Sequence, residues 1–412
     1  MKAKKEKNAK ELRVRKPSFF LYWLPAVLLR PIAYILWRSR VDRSGLKKVK
    51  GPILAIGNHC SMMDIIFAVH ALLPKRFNIV TSKDLFTWKS LKPFITRFGA
   101  IPKNQCAIDI TAIKMMKKAL ESNNNVLIYP EGRTSVDGKE LFYIAPSIAK
   151  FIKMMDVTVA LVKSNGAYLT KPRWFHGFRK GKVVTTTSVL LTQEEVRTMP
   201  QAEIYKRVID ALQFNDHIWQ RENKIKFRSK NLAKGLEYIL YKCPKCSKEY
   251  QMETDNRHLM CTACGYKVEY TEHGLLKPVN DSFTFDRVDL WYDYCRKSCL
   301  EEVSKENFYI SKKADFWMQN LQTHIFEYKG SGEFYMDKEH IGYTGTLDGN
   351  PFEYRQPLKQ LPTLITKNKE GIDLVENDVI YRFLFAEKKW STKYGLLCEE
   401  LFAYNNGLRE RK

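Results

Sequence analysis

The strongest constraint on the fold is the alternation of apolar runs with amphipathic stretches between residues 50 and 215. The apolar runs have the length of buried strands: Ile53–Ile56, Phe77–Thr81, Gly99–Ile101, Val126–Tyr129, Val157–Val162 and Val183–Leu191. Helix-like segments such as Ile108–Glu121 and Ile144–Met155 lie between them. This alternation predicts an α/β domain around a largely buried sheet, which we place at residues 46–215. Because ligands bind at strand ends in such sheets, the turns after the strands are candidate sites.

The turn after the first strand contains a histidine and an aspartate in the stretch NHCSMMD, residues 58–64. A neutral imidazole is a good general base near neutral pH. A carboxylate on its other nitrogen would fix the tautomer and stabilise the imidazolium. His59 and Asp64 have the spacing for this pairing. On this pair alone, the alternative stays open that Asp64 only caps the next helix and His59 is an ordinary loop residue.

Two further motifs follow strands in the same region. GAIP begins at residue 99, and YPEGRTS begins at residue 129. Taken in order with NHCSMMD, they resemble the motifs of the glycerolipid acyltransferase family, which includes the 1-acylglycerol-3-phosphate (lysophosphatidate) acyltransferases. The resemblance covers roughly residues 17–215. It depends on the three motifs occurring in this order, since each motif by itself is a weak signal.

This resemblance implies transfer of an acyl group to a hydroxyl. His59 would deprotonate a lysophospholipid acceptor and Asp64 would orient His59. The alkoxide would then attack a thioester, either acyl-coenzyme A or acyl carrier protein, without an acyl-enzyme. The product would be phosphatidate. The second and third motifs would bind the acceptor phosphate through Gly99, Lys103, Glu131, Gly132 and Arg133.

The sequence departs from the family pattern in three places. Gln105 stands where the second motif has an arginine, so Lys103 would supply the cation as a point charge rather than a bidentate fork. Arg133-Thr134 reverses the usual order of the third motif, and the strand Val157–Val162 lacks the proline of a fourth motif. These departures bear on the identity of the acceptor more than on the type of reaction.

The N-terminal region is basic and then apolar. Residues 1–16 form a basic tail, and residues 17–45 include an apolar stretch interrupted by Pro25, Arg30 and Pro31. The interruptions predict two short helices that lie in a membrane interface as a hairpin, rather than a spanning helix. The alternative is a core hairpin of a soluble domain. We expect a monotopic or peripheral protein on the cytoplasmic face of a membrane, on an anionic lipid surface.

The charge of the chain favours anionic partners without choosing among them. With 69 Lys and Arg against 45 Asp and Glu, the net charge is +24, which attracts nucleic acid, anionic membranes or phosphorylated substrates. The segment KPRWFHGFRKGK, residues 171–182, interleaves cations with aromatic residues. Given the motifs, we expect it to contact the membrane or the phosphates of the acyl donor, and we expect no nucleic-acid partner. The alternative is a solvated loop with partly buried aromatic residues.

Two Cys-x2-Cys pairs, CPKC and CTAC, predict a zinc ribbon at residues 241–270. The expected Zn²⁺ ligands are Cys243, Cys246, Cys261 and Cys264. Four thiolates leave no open coordination position, so the metal would be structural. Nine cysteines without an export signal favour a reducing compartment, where disulfides or free thiols are the weaker alternative.

The remaining segments complete the predicted organisation. Residues 216–240 are expected to form a basic helical connector, and residues 283–412 a helix plus a β-rich domain. That β-rich pattern, with its final helix, resembles a pleckstrin-homology (PH) or GRAM-like domain, which would bind lipid or protein. The fold class is therefore an α/β acyltransferase domain with a membrane-interface hairpin, a zinc ribbon and a β-rich domain. Two other functions stay open: a zinc-ribbon protein that binds nucleic acid or protein, and a catalytically silent lipid-binding scaffold.

Overall fold

The structure is a computed structural model that describes residues 14–408 except 89, 106–108, 141, 282, 322, 324, 368–370, 377–378 and 387–388. Most of the predicted basic tail, residues 1–13, lies outside the described residues. The helices of the described part are α1 Phe19–Trp37, α2 Asp64–Leu72, α3 Lys92–Phe98, α4 Ile110–Glu121, α5 Ser147–Met155, α6 Ala167–Thr170, α7 Gln193–Thr198, α8 Gln201–Leu212, α9 Asp216–Asn223, α10 Val288–Val303 and α11 Trp390–Asn405.

Three sheets contain the strands of the described part. The first sheet consists of β1 Arg40–Asp42, β2 Ile53–Gly57, β3 Phe77–Ser82, β4 Ile101–Lys103, β5 Asn125–Ile128, β6 Thr158–Asn165 and β7 Val184–Leu191. The second consists of β8 Met252–Thr254, β9 His258–Cys261, β10 Lys267–Tyr270 and β11 Leu276–Pro278. The third consists of β12 Tyr309–Gln319, β13 Phe326–Asp337, β14 His340–Leu347, β15 Asn350–Pro357, β16 Ile365–Lys367, β17 Gly371–Glu376 and β18 Val379–Phe385.

The first sheet has the order β1-β7-β6-β2-β5-β3-β4. Its pairs are parallel except β6 with β7, which is antiparallel. All five residues of the central strand β2 are buried, as expected of a strand covered on both faces. Leu54 and Ile56 pack into the core on the α4, α5 and α8 side, and Ile53 and Ala55 into the core under α1 and α2. The α/β layer predicted from the alternation of apolar runs is therefore present.

The predicted N-terminal hairpin is wrong, because α1 is one continuous helix that contains both Pro25 and Pro31. Each proline costs an interior helix about 3 kcal/mol. Tyr22, Ala26, Ala33 and Trp37 are buried along one side of α1, so tertiary packing on both sides of the prolines holds the helix together. By length and composition α1 is apolar enough to cross a membrane. After α1 the chain continues into β1, which pairs with β7 at the edge of the first sheet.

The predicted helical connector at residues 216–240 is also largely wrong. Within it, α9 ends at Asn223, and one short 3₁₀ turn spans Leu236–Tyr238. The backbone between them pairs elsewhere, since Arg228 and Lys180 exchange N–H···O=C bonds of 2.7 and 2.9 Å. Phe227 is buried in this stretch. Packing against the first domain has therefore overridden the helix propensity of the basic residues.

The cysteine-rich segment forms a small antiparallel sheet of order β11-β10-β9-β8, which runs to Pro278 and so beyond the predicted end at residue 270. The region after α10 is an antiparallel sheet of order β15-β14-β13-β12-β18-β17-β16, followed by α11. A β-rich C-terminal region with a final helix was predicted, and its strands begin at Tyr309. The resemblance to PH or GRAM-like domains stays a prediction.

One core cluster joins the C-terminal half of the chain. It includes Leu259 of the cysteine-rich sheet, Trp291 of α10, Phe334 and Phe383 of the third sheet, and Leu397 of α11. Every residue from Trp390 to Ala403 of α11 is buried. The cysteine-rich sheet, α10 and the third sheet therefore pack as one unit around α11.

Candidate active site

The first and third motifs meet because β2 and β5 are parallel neighbours. The carboxyl ends of parallel strands lie at the same edge of a sheet, so the turn after β2 and the turn after β5 are adjacent. His59 lies in the first turn and Glu131 in the second. The Glu131 carboxylate oxygen Oε1 accepts the His59 backbone N–H at 2.7 Å.

His59 and Asp64 make the contact that their spacing predicts. The distance between His59 Nδ1 and Asp64 Oδ2 is 2.8 Å. The Asp64 side chain is 2% exposed and the His59 side chain 24% exposed. Asp64 is the first residue of α2, where the helix dipole favours a negative charge, and its Oδ2 also accepts the Ser61 N–H at 2.9 Å. The buried carboxylate therefore fixes one imidazole nitrogen and leaves Nε2 for a ligand.

Residues of the third motif hold His59 in place. Besides the bond from its N–H to Glu131, the His59 carbonyl accepts the Ser135 N–H at 2.8 Å. The Tyr129 ring stacks on the imidazole with 4.5 Å between ring centroids. The family resemblance assigns Glu131 to the substrate; in the structure one of its oxygens accepts the His59 N–H, and the residue also lines the cavity. The position of Tyr129 as the first residue of the motif was the available signal for its contact.

Cys60 and Ser61 are nearby nucleophile types that the structure leaves inactive. Burial, followed by the Asp64 charge, raises the pKa of the Cys60 thiol well above its usual value. The Ser61 hydroxyl donates to the Lys171 carbonyl at 3.0 Å. Reactive cysteines need a lowered pKa, and a reactive serine needs a base that takes its proton. Neither arrangement is present here.

Asn58 ties the turn after β2 to the neighbouring strand β6. Its amide nitrogen donates to the Ser164 carbonyl and its amide oxygen accepts the Ser164 N–H, both at 2.9 Å. Asn58 is buried, so this bidentate bond fixes the backbone directly before His59. The motif included Asn58, but nothing in the sequence identified Ser164 as its partner.

The second motif places Lys103 at the site and uses Gly99 differently. Gly99 ends α3 with φ of 86°, and a Cβ there would lie 2.9 Å from Pro17 Cγ. Its role in the structure is therefore conformational. Lys103 and Gln105 both line the cavity beside His59. The Lys103 ammonium donates to the Asn104 carbonyl at 2.8 Å.

The third motif brings Gly132 and Arg133 to the same cavity. Gly132 has φ of 70°, and a Cβ there would meet no atom within 4 Å, so the turn rather than the space requires glycine. The Arg133 guanidinium forms an ion pair with Glu399 of α11. No local sequence signal pointed to Glu399, which lies 266 residues further along the chain.

The cavity has a volume of about 2750 Å³. A drug-sized ligand occupies a pocket of about 300–1,000 Å³, so this cavity has room for two lipid-like substrates. α1 contributes Tyr22 and Leu29 to it, and α5 contributes Phe151 and Met154. The lining is largely apolar, and His59 is among the polar residues that face it.

The basic and aromatic segment at residues 171–182 is mostly internal. Trp174 and Phe175 are buried, and the Arg179 guanidinium lies 4.8 and 4.5 Å from the centroids of their rings. Burial removes Trp174 and Phe175 from any membrane contact, as the alternative of a loop with partly buried aromatic residues expects. Contact of the segment with a membrane or with the phosphates of the acyl donor stays a prediction. Phe178 is exposed, so its ring is available for contact with a membrane.

The four predicted zinc ligands converge. The Sγ atoms of Cys243, Cys246, Cys261 and Cys264 all lie within 4.8 Å of one another. The Cys243–Cys264 and Cys246–Cys261 sulfur distances are 3.7 and 3.8 Å. A tetrahedron with Zn–S bonds of about 2.3 Å has edges of about 3.8 Å, so the four thiols fit that ion. The cysteines of the described residues form no disulfide.

The sequence of the first domain matches a known protein family. Residues 38–162 match the model of the family described as Acyltransferase. The chain contains an acyltransferase domain. The match includes His59, Asp64 and the third motif, and the resemblance to glycerolipid acyltransferases seen in the sequence is confirmed.

Solved structures similar to this chain include the 1-acyl-sn-glycerophosphate (LPA) acyltransferase PlsC from Thermotoga maritima. It is 18% identical, the TM-score is 0.39, and the similarity covers 47% of this chain and 76% of that one. The family match ends within β6, whereas the sheet of the acyltransferase domain continues through β7.

Proposed function

We propose that this acyltransferase converts lysophosphatidate to phosphatidate at a membrane surface, using an activated acyl donor. The observation that carries the proposal is the His59–Asp64 pair, with 2.8 Å between Nδ1 and Oδ2, at the wall of a large apolar cavity. An apolar cavity with a few convergent polar groups suits a lipid substrate.

In the proposed mechanism His59 is the general base. Asp64 fixes the Nδ1–H tautomer, so Nε2 accepts the proton of the acceptor hydroxyl as its oxygen attacks the thioester carbonyl. A C–O bond forms, the C–S bond breaks, and the imidazolium returns its proton to the leaving thiolate. The inactive states of Cys60 and Ser61 support direct transfer without an acyl-enzyme.

For the acceptor phosphate we propose Lys103 and the turn at Gly132, both at the cavity. The resemblance also assigns Gly99, Glu131 and Arg133 to this task. Gly99 instead ends α3, Glu131 holds His59, and Arg133 pairs with Glu399. Of the five residues that the resemblance assigns to the acceptor phosphate, Lys103 and Gly132 therefore best retain that role.

We further propose that α1 seats the enzyme on the cytoplasmic face of an anionic membrane. Exposed apolar side chains cover α1, among them Phe20, Leu28 and Ile35. Exposed apolar surface of this extent is costly in water and typical of a lipid-facing helix. α1 also lines the cavity, so lipid could enter it beside the helix.

The four-cysteine cluster is proposed to hold a structural zinc ion. Four thiolates would satisfy tetrahedral Zn²⁺, which would hold the turns of the cysteine-rich sheet together and add no reactive position. A protein partner could dock on this sheet or on the third sheet.

Lysophosphatidate and labelled acyl-coenzyme A or acyl carrier protein would test the function. We would compare wild type with His59→Ala on anionic vesicles. His258→Ala is a matched control, because His258 Nδ1 also lies 2.9 Å from an aspartate, Asp255, but outside the cavity. We expect at least ~100-fold loss for His59→Ala, as is typical when a general base is removed. The control should keep its activity.

Two other outcomes of this experiment would contradict the proposal. Activity unchanged in His59→Ala would exclude His59 as the base. Absence of turnover in wild type with either donor would favour another acceptor, or the scaffold function.

A further inference from the structure

The C-terminal region forms one side of the cavity that His59 faces. The lining residues from this region are Gln319, Thr323, Ile325, Phe326, Gln356, Gln360, Pro362, Thr363, Ile365, Thr366, Val375, Arg382, Glu399 and Phe402. We call this set the C-terminal wall. Eight of its fourteen members carry amide, hydroxyl or charged groups, a larger share than in the rest of the lining, where apolar residues are a small majority. Convergent polar groups in an apolar pocket fix the orientation of the polar part of a ligand.

Arg133 joins the third motif to this wall. Its guanidinium pairs with Glu399, whose side chain is 2% exposed. Glu399 also accepts from Arg296 at 2.6 Å and from the Thr363 hydroxyl at 3.0 Å. Although burial favours the protonated form, Arg133 and Arg296 hold the pKa of Glu399 below its usual value. The contact is therefore a charged pair in the interior.

The surrounding charges are balanced. Arg296 of α10 also contacts Glu400 at 3.0 Å, so two guanidinium groups face two buried carboxylates. Removal of one member of such a buried set leaves an uncompensated charge and is costly. The positive charge that the family resemblance assigns to the acceptor phosphate is thus offset by Glu399.

Other contacts hold the wall at the same place. Phe402 lies three residues after Glu399, on the same side of α11, and its ring meets the Tyr143 ring edge-on with 4.9 Å between centroids. Arg173 donates to the Thr366 carbonyl. The wall is therefore fixed against the acyltransferase domain at several points around the cavity.

We propose that Arg133 is a positioning residue that docks the C-terminal wall over the cavity through Glu399, and that the docked wall binds the polar head of the acceptor. This inference rests on the proposed function. It differs from the role that the resemblance gives Arg133, which is direct contact with the acceptor phosphate.

A double-mutant cycle with steady-state kinetics would test it. The proteins are wild type, Arg133→Gln, Glu399→Gln and the double variant of the full chain. Arg197→Gln is the matched control, because Arg197 and Asp156 form an exposed ion pair away from the cavity. KM for lysophosphatidate and kcat would be measured with saturating acyl donor.

If Arg133 acts by docking the wall, each single substitution should raise KM for lysophosphatidate by about tenfold, and the double variant should resemble either single one, as coupled neighbours do. The value of kcat should change by less than about threefold, since His59 and Asp64 are untouched. A raised KM in Arg133→Gln with an unchanged or lowered KM in Glu399→Gln would overturn the inference and assign Arg133 to the phosphate. A fall in kcat with unchanged KM would overturn it as well.

Hydrogen exchange gives a readout that does not need turnover. Peptides covering α11 and β16–β17 should exchange faster in Arg133→Gln and Glu399→Gln than in wild type, and at the wild-type rate in Arg197→Gln. Unchanged exchange in both Arg133→Gln and Glu399→Gln would exclude the docking role of Arg133, even if wild type proved inactive in the acyl-transfer assay. If Glu399→Gln fails to fold, Thr363→Val removes one bond to Glu399 and should raise KM in the same direction.

Discussion

Asp137 is a buried carboxyl group from which a pH dependence of stability follows. It lies two residues after the third motif and is buried. Burial raises the pKa of Asp137 to about 7, and the Lys139 ammonium offsets this only in part. An unfolded aspartate titrates near ~3.9, so between about pH 4 and 7 the folded chain binds a proton that the unfolded chain has lost. The contribution of Asp137 to stability is therefore complete below about pH 4 and is lost as pH rises through 7.

We expect Asp137→Asn, which stays neutral, to be more stable than wild type by at most about 1 kcal/mol near pH 4.5 and by ~2–4 kcal/mol at pH 8. Urea unfolding midpoints at both pH values would measure this. Asp210→Asn, on an exposed position of α8, is the control substitution. An equal difference between Asp137→Asn and wild type at both pH values would show that Asp137 is not protonated in the folded chain.

Side-chain roles were predictable where both partners lie in one motif. His59 and Asp64 are five residues apart in the sequence, so their contact could be expected from the spacing. Glu131 lies in a motif too, but its bond to the His59 N–H depends on β2 and β5 being neighbours, and strand order is absent from local pattern. The Ser164 partner of Asn58 was missed for the same reason.

At the scale of elements, α1 is the helix that we propose as the membrane contact. Its buried side uses Tyr22, Ala26, Ala33 and Trp37, which leaves the larger aliphatic residues outside. Ile35 is 71% exposed. Burying an isoleucine in an apolar medium contributes about 1.5–3 kcal/mol.

Ile35→Asp should therefore weaken binding to anionic vesicles by about tenfold or more, with little change in the thermal midpoint. Vesicle co-sedimentation would measure it. Val279→Asp is the matched control, because Val279 is also an exposed apolar residue, at 52%, and lies beyond β11. Equal vesicle binding by the two variants would argue against α1 as the membrane contact.

The types of the elements were predictable from the period of their apolar residues, but whether a helix continues or breaks was not. The strands β2, β3, β5, β6 and β7 fall where the apolar runs lie, because buried strands must be apolar. Pro25 and Pro31 indicated a break in α1, yet packing on both sides of the prolines overcame their cost. In the same way, the basic residues after α9 favoured a helix, but the backbone there forms hydrogen bonds between Arg228 and Lys180 instead.

For the whole molecule, the shared C-terminal core links the four-cysteine cluster to the cavity. Glu249, which precedes β8 in the cysteine-rich segment, contacts α11 through Lys393, whose ammonium lies 2.7 Å from its carboxylate. The same helix presents Glu399 to the cavity. Loss of a structural zinc ion should therefore disturb the C-terminal wall as well as the cysteine-rich sheet.

We expect one zinc ion per chain, and a Cys246→Ser variant with less zinc and a thermal midpoint lower by about 10 °C or more, since structural zinc contributes directly to folding. Elemental analysis and calorimetry would measure these. Chelation of wild type should lower the midpoint similarly, and zinc but not magnesium should restore it. Metal-free wild type with an unchanged midpoint would contradict a structural zinc.

The assembly of the domains was the part least accessible from the sequence. Motif and cysteine spacing located the separate units, since each unit has a local pattern. The cavity wall depends on contacts such as Arg133 with Glu399, across 266 residues. Such a contact is set by the packing of whole units, and no periodicity or spacing encodes it.

The place of α11 in the chain has a consequence for biosynthesis. α11 follows every other described helix and strand, so the ribosome makes it after all of them. Domains fold as units during synthesis, and the acyltransferase sheet can form early. The C-terminal wall of the cavity is then incomplete until α11 emerges and docks. During that interval the nascent chain exposes apolar lining residues, and the membrane that we propose as the partner of α1 would shield them if translation occurs beside it.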